Sequence, residues 1–222
     1  ADHVARNRPG HGDDRTLPDR LEVEIALGGA HAFARLDRPL QFGQAFAVRD
    51  RRSGFGIAGE LGHIRVVPDG LLCGCGQHGC LESYASGSAL LRAAKELASS
   101  GDPEGARLRE IEVEAGKLTG LEVYQAILEG DAGALRILGD LGSWLGQAIG
   151  SLVAVLDPEV VVIGGGVSAA GDLLLNPIRE AYLAHLPARG YRPELKIAAA
   201  EFVNDAGVVG AADLVRVAFR DR

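Results

Sequence analysis

The stretch from Gly59 to Glu82 reads GELGHIRVVPDGLLCGCGQHGCLE and holds all three cysteines of the chain. Cys73, Cys75 and Cys80 fall within eight residues. Gly74, Gly76 and Gly79 lie between them, so the backbone can turn tightly enough to aim three sulfurs at one point. His63, ten residues before the first cysteine, is the natural fourth ligand. Free cysteines often act as small core hydrophobes, but core positions do not alternate with glycine inside a polar loop. An odd cysteine count, with Cys73 and Cys75 too close in sequence for an easy bridge, argues against a disulfide framework. The pattern predicts a closed Cys3His zinc knot over 63–80, in which the metal shapes the loop and leaves no position for a reacting water.

Glu60-x-x-His63 followed by Cys73-Gly-Cys75-Gly-x-x-Gly-Cys80-x-Glu82 resembles the signature of the ROK family, which comprises bacterial sugar kinases, glucokinases among them, and sugar-responsive repressors. The resemblance implies an α/β fold: the large C-terminal lobe of an actin-like or hexokinase-like ATPase, carrying a zinc-binding loop. It implies that His63 both ligates zinc and faces a sugar, while Glu60 and Glu82 hydrogen-bond sugar hydroxyls. The chemistry agrees. A carboxylate offers about four lone-pair sites, and a metal-bound imidazole keeps its other nitrogen protonated as a donor. Structural zinc, with ATP and magnesium in the intact family, are the implied cofactors. A glucose-like hexose and ATP are the expected small-molecule partners, and a homo-oligomer the expected assembly.

Composition sets bounds around this. The chain has 222 residues, 47% of them hydrophobic, which is ample for a buried core. A net charge of -7 argues against a nucleic-acid surface, because phosphate binding wants a basic face. There is no apolar run long enough for a membrane span and no signal-peptide pattern. Free thiols poised for metal fit a reducing cytoplasm.

Residues 1–53 differ from the rest, with nine arginines, no lysine and eight acids. Leu21, Val23, Ile25 and Leu27 alternate with Glu22, Glu24 and Ala26 as in a half-buried strand. Gly28-Gly29 then supplies a turn too short to cradle a phosphate. From Ala30 to Arg52 no period is evident. The resembled kinases carry here an Asn-Asp pair with the catalytic aspartate and a Gly-Thr-Gly phosphate loop, with a second phosphate loop in a small N-terminal lobe. Residues 1–53 contain none of these. The family-like text covers 54–222, about three quarters of the chain. The first 53 residues are therefore expected to be an unmatched segment, disordered or out of frame, with the small lobe absent and no catalytic residue assignable.

After the knot, Ser83 to Ser100 reads as an amphipathic helix ended by Gly101-Asp102-Pro103. Glu104 to Lys117 is expected to be a solvated helix or loop. Thr119-Gly-Leu-Glu122 is a capping box, and Asp131 can cap the next helix. That helix carries Leu135, Leu138, Leu141, Leu145, Ile149, Leu152 and Leu156 and is expected to pack on a sheet. Val160 to Ile163 is an apolar run bounded by Gly164-Gly165-Gly166, the pattern of a strand buried on both faces. Asn176-Pro177 is expected to open a helix, Lys196 to Phe202 a strand, and Asp205 to Phe219 a last helix. By the resemblance, Gly164, Gly165 and Gly166 lie against the adenosine of ATP. Without side chains they let a flat ring approach the backbone. The alternative function, also within the resemblance, is the sugar-sensing effector domain of a repressor.

Overall fold

A computed structural model describes residues 22–26, 31–35, 60–191 and 193–201, the first two segments as backbone. Four strands form one mixed sheet in the order β2-β1-β3-β4: β1 (Glu22–Ala26), β2 (His31–Arg35), β3 (Val160–Gly164) and β4 (Lys196–Ala199). β1 pairs antiparallel with β2, with Glu22 opposite Arg35 and Ala26 opposite His31. It pairs in parallel with β3, Val23 opposite Val161 and Ala26 opposite Gly164. β3 pairs in parallel with β4. Residues on both sides of the Gly54 division thus share one sheet. β2 corrects the expectation of no regular element between Ala30 and Arg52: its residues, His-Ala-Phe-Ala-Arg, carry little alternation of their own, and pairing to β1 sets their conformation instead.

The remaining mass is helical: α1 (Gly87–Ser99), α2 (Ala106–Ala115), α3 (Gly120–Leu128), α4 (Ala132–Leu156) and α5 (Asp172–His185). Local chemistry sets most ends. Ser86 caps α1 through a bond from the Ala89 N–H. Thr119 and Glu122 close the expected capping box on α3, their side chains also hydrogen-bonded to each other. Asp131 caps α4 by accepting from the Ala134 N–H at 2.8 Å. Asp157 ends α4 in the left-handed region at φ 44°.

Two expectations need correction here. α2 is a helix that buries Leu108 and Ile111, so the charged segment around it is amphipathic rather than solvated all round. Asn176-Pro177 does not open α5: the helix starts at Asp172, with Gly171 as cap and Pro177 inside. Pro177 is the sixth residue of the helix, past its first turn, and forgoes the bond that an N–H there would make to the Leu173 carbonyl. The strand expected over Lys196–Phe202 ends at Ala199, and the expected Asp205–Phe219 helix lies outside the described residues.

One core joins these helices to β3 and β4, with Leu138, Leu145, Ile163, Leu174 and Ile178 each fully buried. Each contributes about 1.5–3 kcal/mol by leaving water. The principal partner of α4 is α5 rather than the sheet. Gly142, Gly146 and Gly150 recur every fourth residue along α4. A β-carbon at Gly146 would collide with the Ile178 carbonyl and the Ala181 side chain, and one at Gly142 with Pro177. The two helices therefore meet backbone against backbone along a ridge with no side chains. No helix among the described residues is long and apolar enough to cross a membrane.

Candidate metal centre and its acidic edge

The knot has almost no regular structure of its own. Two isolated bridges pin it, Arg65 with Cys80 and Leu72 with His78. Short 3-10 turns at Leu61–His63 and Leu81–Ser83 flank it and carry His63 and Glu82. Gly79, at φ 78°, fits only because it has no side chain, since a β-carbon there would strike the Val67 carbonyl. At the tip, the Cys73 N–H donates to the Gln77 carbonyl at 2.8 Å and the Gly76 N–H to the Cys73 carbonyl at 2.9 Å. This tight turn throws Cys73 and Cys75 to one side.

The result is a single cluster. One ligand atom each from His63, Cys73, Cys75 and Cys80 lies within 4.8 Å of the others. Cys75 Sγ is 3.6 Å from Cys80 Sγ, and Cys73 Sγ is 3.6 Å from His63 Nδ1. Tetrahedral zinc, with bonds of about 2.3 Å to sulfur and 2.0–2.1 Å to nitrogen, requires edges of about 3.8 Å and 3.6 Å. The Cys75–Cys80 and Cys73–His63 separations are close to those edges, and all four donors lie within 4.8 Å of one another, a set that suits that ion. Zinc would be held by all four, and its chemistry there would be to fix the loop.

Protonation follows the same geometry. Burial, then the neighbouring thiols of Cys75 and Cys73, push Cys80 up to about 12. The Gln77 backbone N–H holds the exposed Cys75 below the ordinary thiol value. Three thiols so close cannot ionise together without a cation, and a bound divalent ion removes that obstacle by replacing their protons.

Glu82 stands directly beside the cluster. Its Oε2 is 3.6 Å from His63 Nδ1 and 3.9 Å from Cys73 Sγ, with the His63 and Glu82 side chains 36% and 28% exposed. A carboxylate and an imidazole thus share one solvent-facing edge. Glu60 caps the turn that carries His63: its carbonyl accepts from the His63 N–H at 3.0 Å.

Several supporting residues carry no signal in the motif. Tyr84 Oη accepts from the Leu71 N–H at 2.7 Å, and its ring lies 4.9 Å from Trp144 on α4. Arg92 on α1 donates to the Ser83 carbonyl at 2.6 Å, holding the turn that bears Glu82. His78 Nδ1 lies 2.9 Å from the Gly70 carbonyl. Tyr84 follows Glu82 by two residues, so proximity in sequence could have suggested it. Arg92 belongs to another element, and only the fold brings it in.

Gly164-Gly165-Gly166 is separate from this cluster, at the carboxyl end of β3. Gly165 adopts φ 84° and ψ 171°, a conformation that suits glycine, and its carbonyl accepts from Ser168 Oγ at 2.7 Å. The pairing of Ala26 with Gly164 brings the β1 end to the same sheet edge.

A helix-rich α/β lobe with a glycine-spaced Cys3His cluster and an acidic edge defines a class. The ROK family model matches residues 42–218, and the chain belongs to the ROK family. That match begins upstream of Gly54. Among relatives, the glucokinase of Streptomyces coelicolor is 44% identical over 169 residues, 75% of this chain and 53% of that protein. The glucokinase of Thermotoga maritima is 32% identical, covering 72% and 50%. Among solved structures, a ROK family glucokinase from Streptomyces griseus, in complex with glucose and AMPPNP, superposes with a TM-score of 0.74 at 36% identity. That match covers 88% of this chain and 60% of that one. A ROK family transcriptional regulator homologous to the Escherichia coli MLC protein superposes with a TM-score of 0.66 at 28% identity, covering 88% and 45%. The chain spans about half the length of the curated relatives it matches.

Proposed function

We propose that this chain is the hexose-gripping, zinc-shaped part of a glucokinase-like sugar kinase of the cytoplasm. The observation that carries the proposal is the His63–Glu82 edge lying against the four-donor cluster. Zinc held by His63, Cys73, Cys75 and Cys80 fixes the imidazole, whose second nitrogen then donates to a sugar hydroxyl. Glu60 and Glu82 accept from neighbouring hydroxyls, so a hexose is held by directional, charge-assisted bonds. Kinship with glucokinases supports glucose or a close relative as the sugar. Gly164, Gly165 and Gly166 offer a flat backbone surface for the adenosine of ATP.

Phosphoryl transfer itself depends on positioning and charge neutralisation. Residues 1–53 contain neither the Asn-Asp pair nor the glycine-rich phosphate loop that supply them in the resembled kinases. The chain by itself therefore binds hexose without phosphorylating it at a useful rate. Loss of a general base alone costs about two to four orders of magnitude. The test pairs a hexose-dependent thermal shift with a glucose-dependent ATP consumption assay. A shift with turnover far below about one per second is expected, against typical kinase values of about 1–100 per second. No hexose shift in zinc-loaded protein would remove the sugar site, and turnover near one per second or above would remove the inactivity.

Likeness to the transcriptional regulator and to a putative xylose repressor from Caldicellulosiruptor supports a second reading, a sugar-sensing effector domain. It predicts hexose binding that is indifferent to ATP.

A further inference from the structure

We propose that the knot is an oxidant-sensitive site, in which a peroxide joins Cys75 to Cys80 as a disulfide and ejects the metal, leaving Cys73 as a free thiol. The inference rests on the zinc reading above and goes beyond it. The three sulfurs differ sharply in access. Cys75 is exposed, whereas Cys73 is 5% exposed and Cys80 fully buried. An oxidant arriving from solvent therefore meets Cys75 first, since susceptibility follows exposure and thiolate character. Cys80 is the sulfur next to it at 3.6 Å. Cys73, itself buried, also lies within 4.8 Å of both sulfurs, but it sits 3.6 Å from His63 Nδ1 and 3.9 Å from Glu82 Oε2 and is shielded from solvent.

The backbone also favours this pair. A bond of about 2.05 Å needs the two sulfurs to close by roughly 1.5 Å. Gly74 and Gly76 flank Cys75, and a β-carbon on either would meet nothing within 4 Å, so the tip has room to move. Cys80 is fixed by its bridge to Arg65 and by Gly79 pressed on the Val67 carbonyl. Cys75 moves and Cys80 waits. The steps balance. The Cys75 thiolate attacks one peroxide oxygen, breaking the O–O bond and giving a sulfenic acid, and the departing hydroxide takes a solvent proton. The Cys80 thiolate then attacks the Cys75 sulfur and expels a second hydroxide, again protonated to water. Two thiolates lose two electrons to one peroxide, and the divalent metal, left with Cys73 and His63, dissociates.

The experiment treats the zinc-loaded chain with hydrogen peroxide in the presence of a chromogenic zinc chelator. Free thiols are then alkylated and the protein digested with trypsin. All three cysteines fall in one tryptic peptide, Val66 to Arg92, so fragmentation places the label directly. The expected result is release of the zinc, alkylation at Cys73 alone, and recovery of metal after dithiothreitol and added zinc. Cys75→Asp keeps a metal ligand without the reactive sulfur and should release zinc roughly tenfold more slowly. Should that variant fail to fold, the labelling pattern of the natural chain still decides. Zinc retained under peroxide, a disulfide that includes Cys73, or equal release from Cys75→Asp would overturn the proposal. Purified protein that binds no zinc would overturn the metal reading and this inference with it, an outcome distinct from the other three.

Discussion

Gly74 and Gly76 at the tip of the knot do the opposite work to the glycines of the α4–α5 pair, whereas Gly79 of the knot is as closely packed as those. In the knot, Gly74 and Gly76 open onto empty space: their absent side chains free the backbone so that ligands converge. Along α4, Gly142, Gly146 and Gly150 face solid protein, and their absent side chains let two helices close. The first arrangement brings together four side chains that could hold an ion, while the second brings two helix backbones into contact. The comparison teaches that a glycine-rich run can mark either a site or a seam, and that the residues between the glycines tell which. Cysteines mark the site, and leucines and isoleucines mark the seam.

The largest expected effect breaks the knot and leaves the seam intact. With free zinc at a thousand times Kd, a metal that binds only the folded chain stabilises it by about 4 kcal/mol. Chelation should lower the melting temperature accordingly and change the emission of Trp144, the chain's single tryptophan, whose ring lies 4.9 Å from that of Tyr84 at a 43° tilt. An unchanged melt after chelation would mean the loop needs no ion. The metal-free form should also be alkali-sensitive. Cys80 stays protonated up to about 12 in the folded chain, whereas an unfolded thiol ionises near its ordinary value. The unfolded state binds fewer protons between those limits, so stability is intact below that range and falls as pH rises through it. Zinc-loaded protein, its thiolates already deprotonated, should not show that fall.

The converse change breaks the seam. Gly146→Val places side-chain atoms against the Ile178 carbonyl and Ala181, and overpacking of this kind costs about 1–3 kcal/mol. Denaturant titration should show a lower midpoint while zinc content stays at one per chain. A neutral result would mean that α5 slides freely along α4.

Changes at the sugar edge sharpen the comparison. Glu60→Gln and Glu82→Gln should each weaken hexose binding by about 1.5–3 kcal/mol, the range for hydrogen bonds to charged groups. His63→Ala should do more, because it also removes a metal ligand. Calorimetry with glucose measures both, and wild-type affinity in the glutamate variants would move the sugar site elsewhere. The smallest effect belongs to Asp131→Ala, which removes the cap at the start of α4 and should cost about 1 kcal/mol with no change in zinc or hexose affinity.

The amino-acid sequence by itself determined the features whose causes are local. The convergence of His63, Cys73, Cys75 and Cys80 is legible because glycine spacing acts over a few residues, and the caps of α3 and α4 because a side chain reaches only its own first turn. β3 is legible as a continuous apolar run, although only Val161 and Ile163 are buried while Val160 and Val162 on the opposite face are half-buried, so burial on both faces is not what the structure shows. Tertiary structure alone decided what depends on distant partners. The alternation over Leu21–Leu27 announces β1 as a strand, but its place beside β3 and the conformation of β2 come only from pairing. The pairing of α4 with α5 needed both helices to present one surface. Glu82 next to His63, and Arg92 beneath the turn that carries Glu82, arise because the chain folds back on itself. Contacts between elements far apart in sequence leave no periodicity to read.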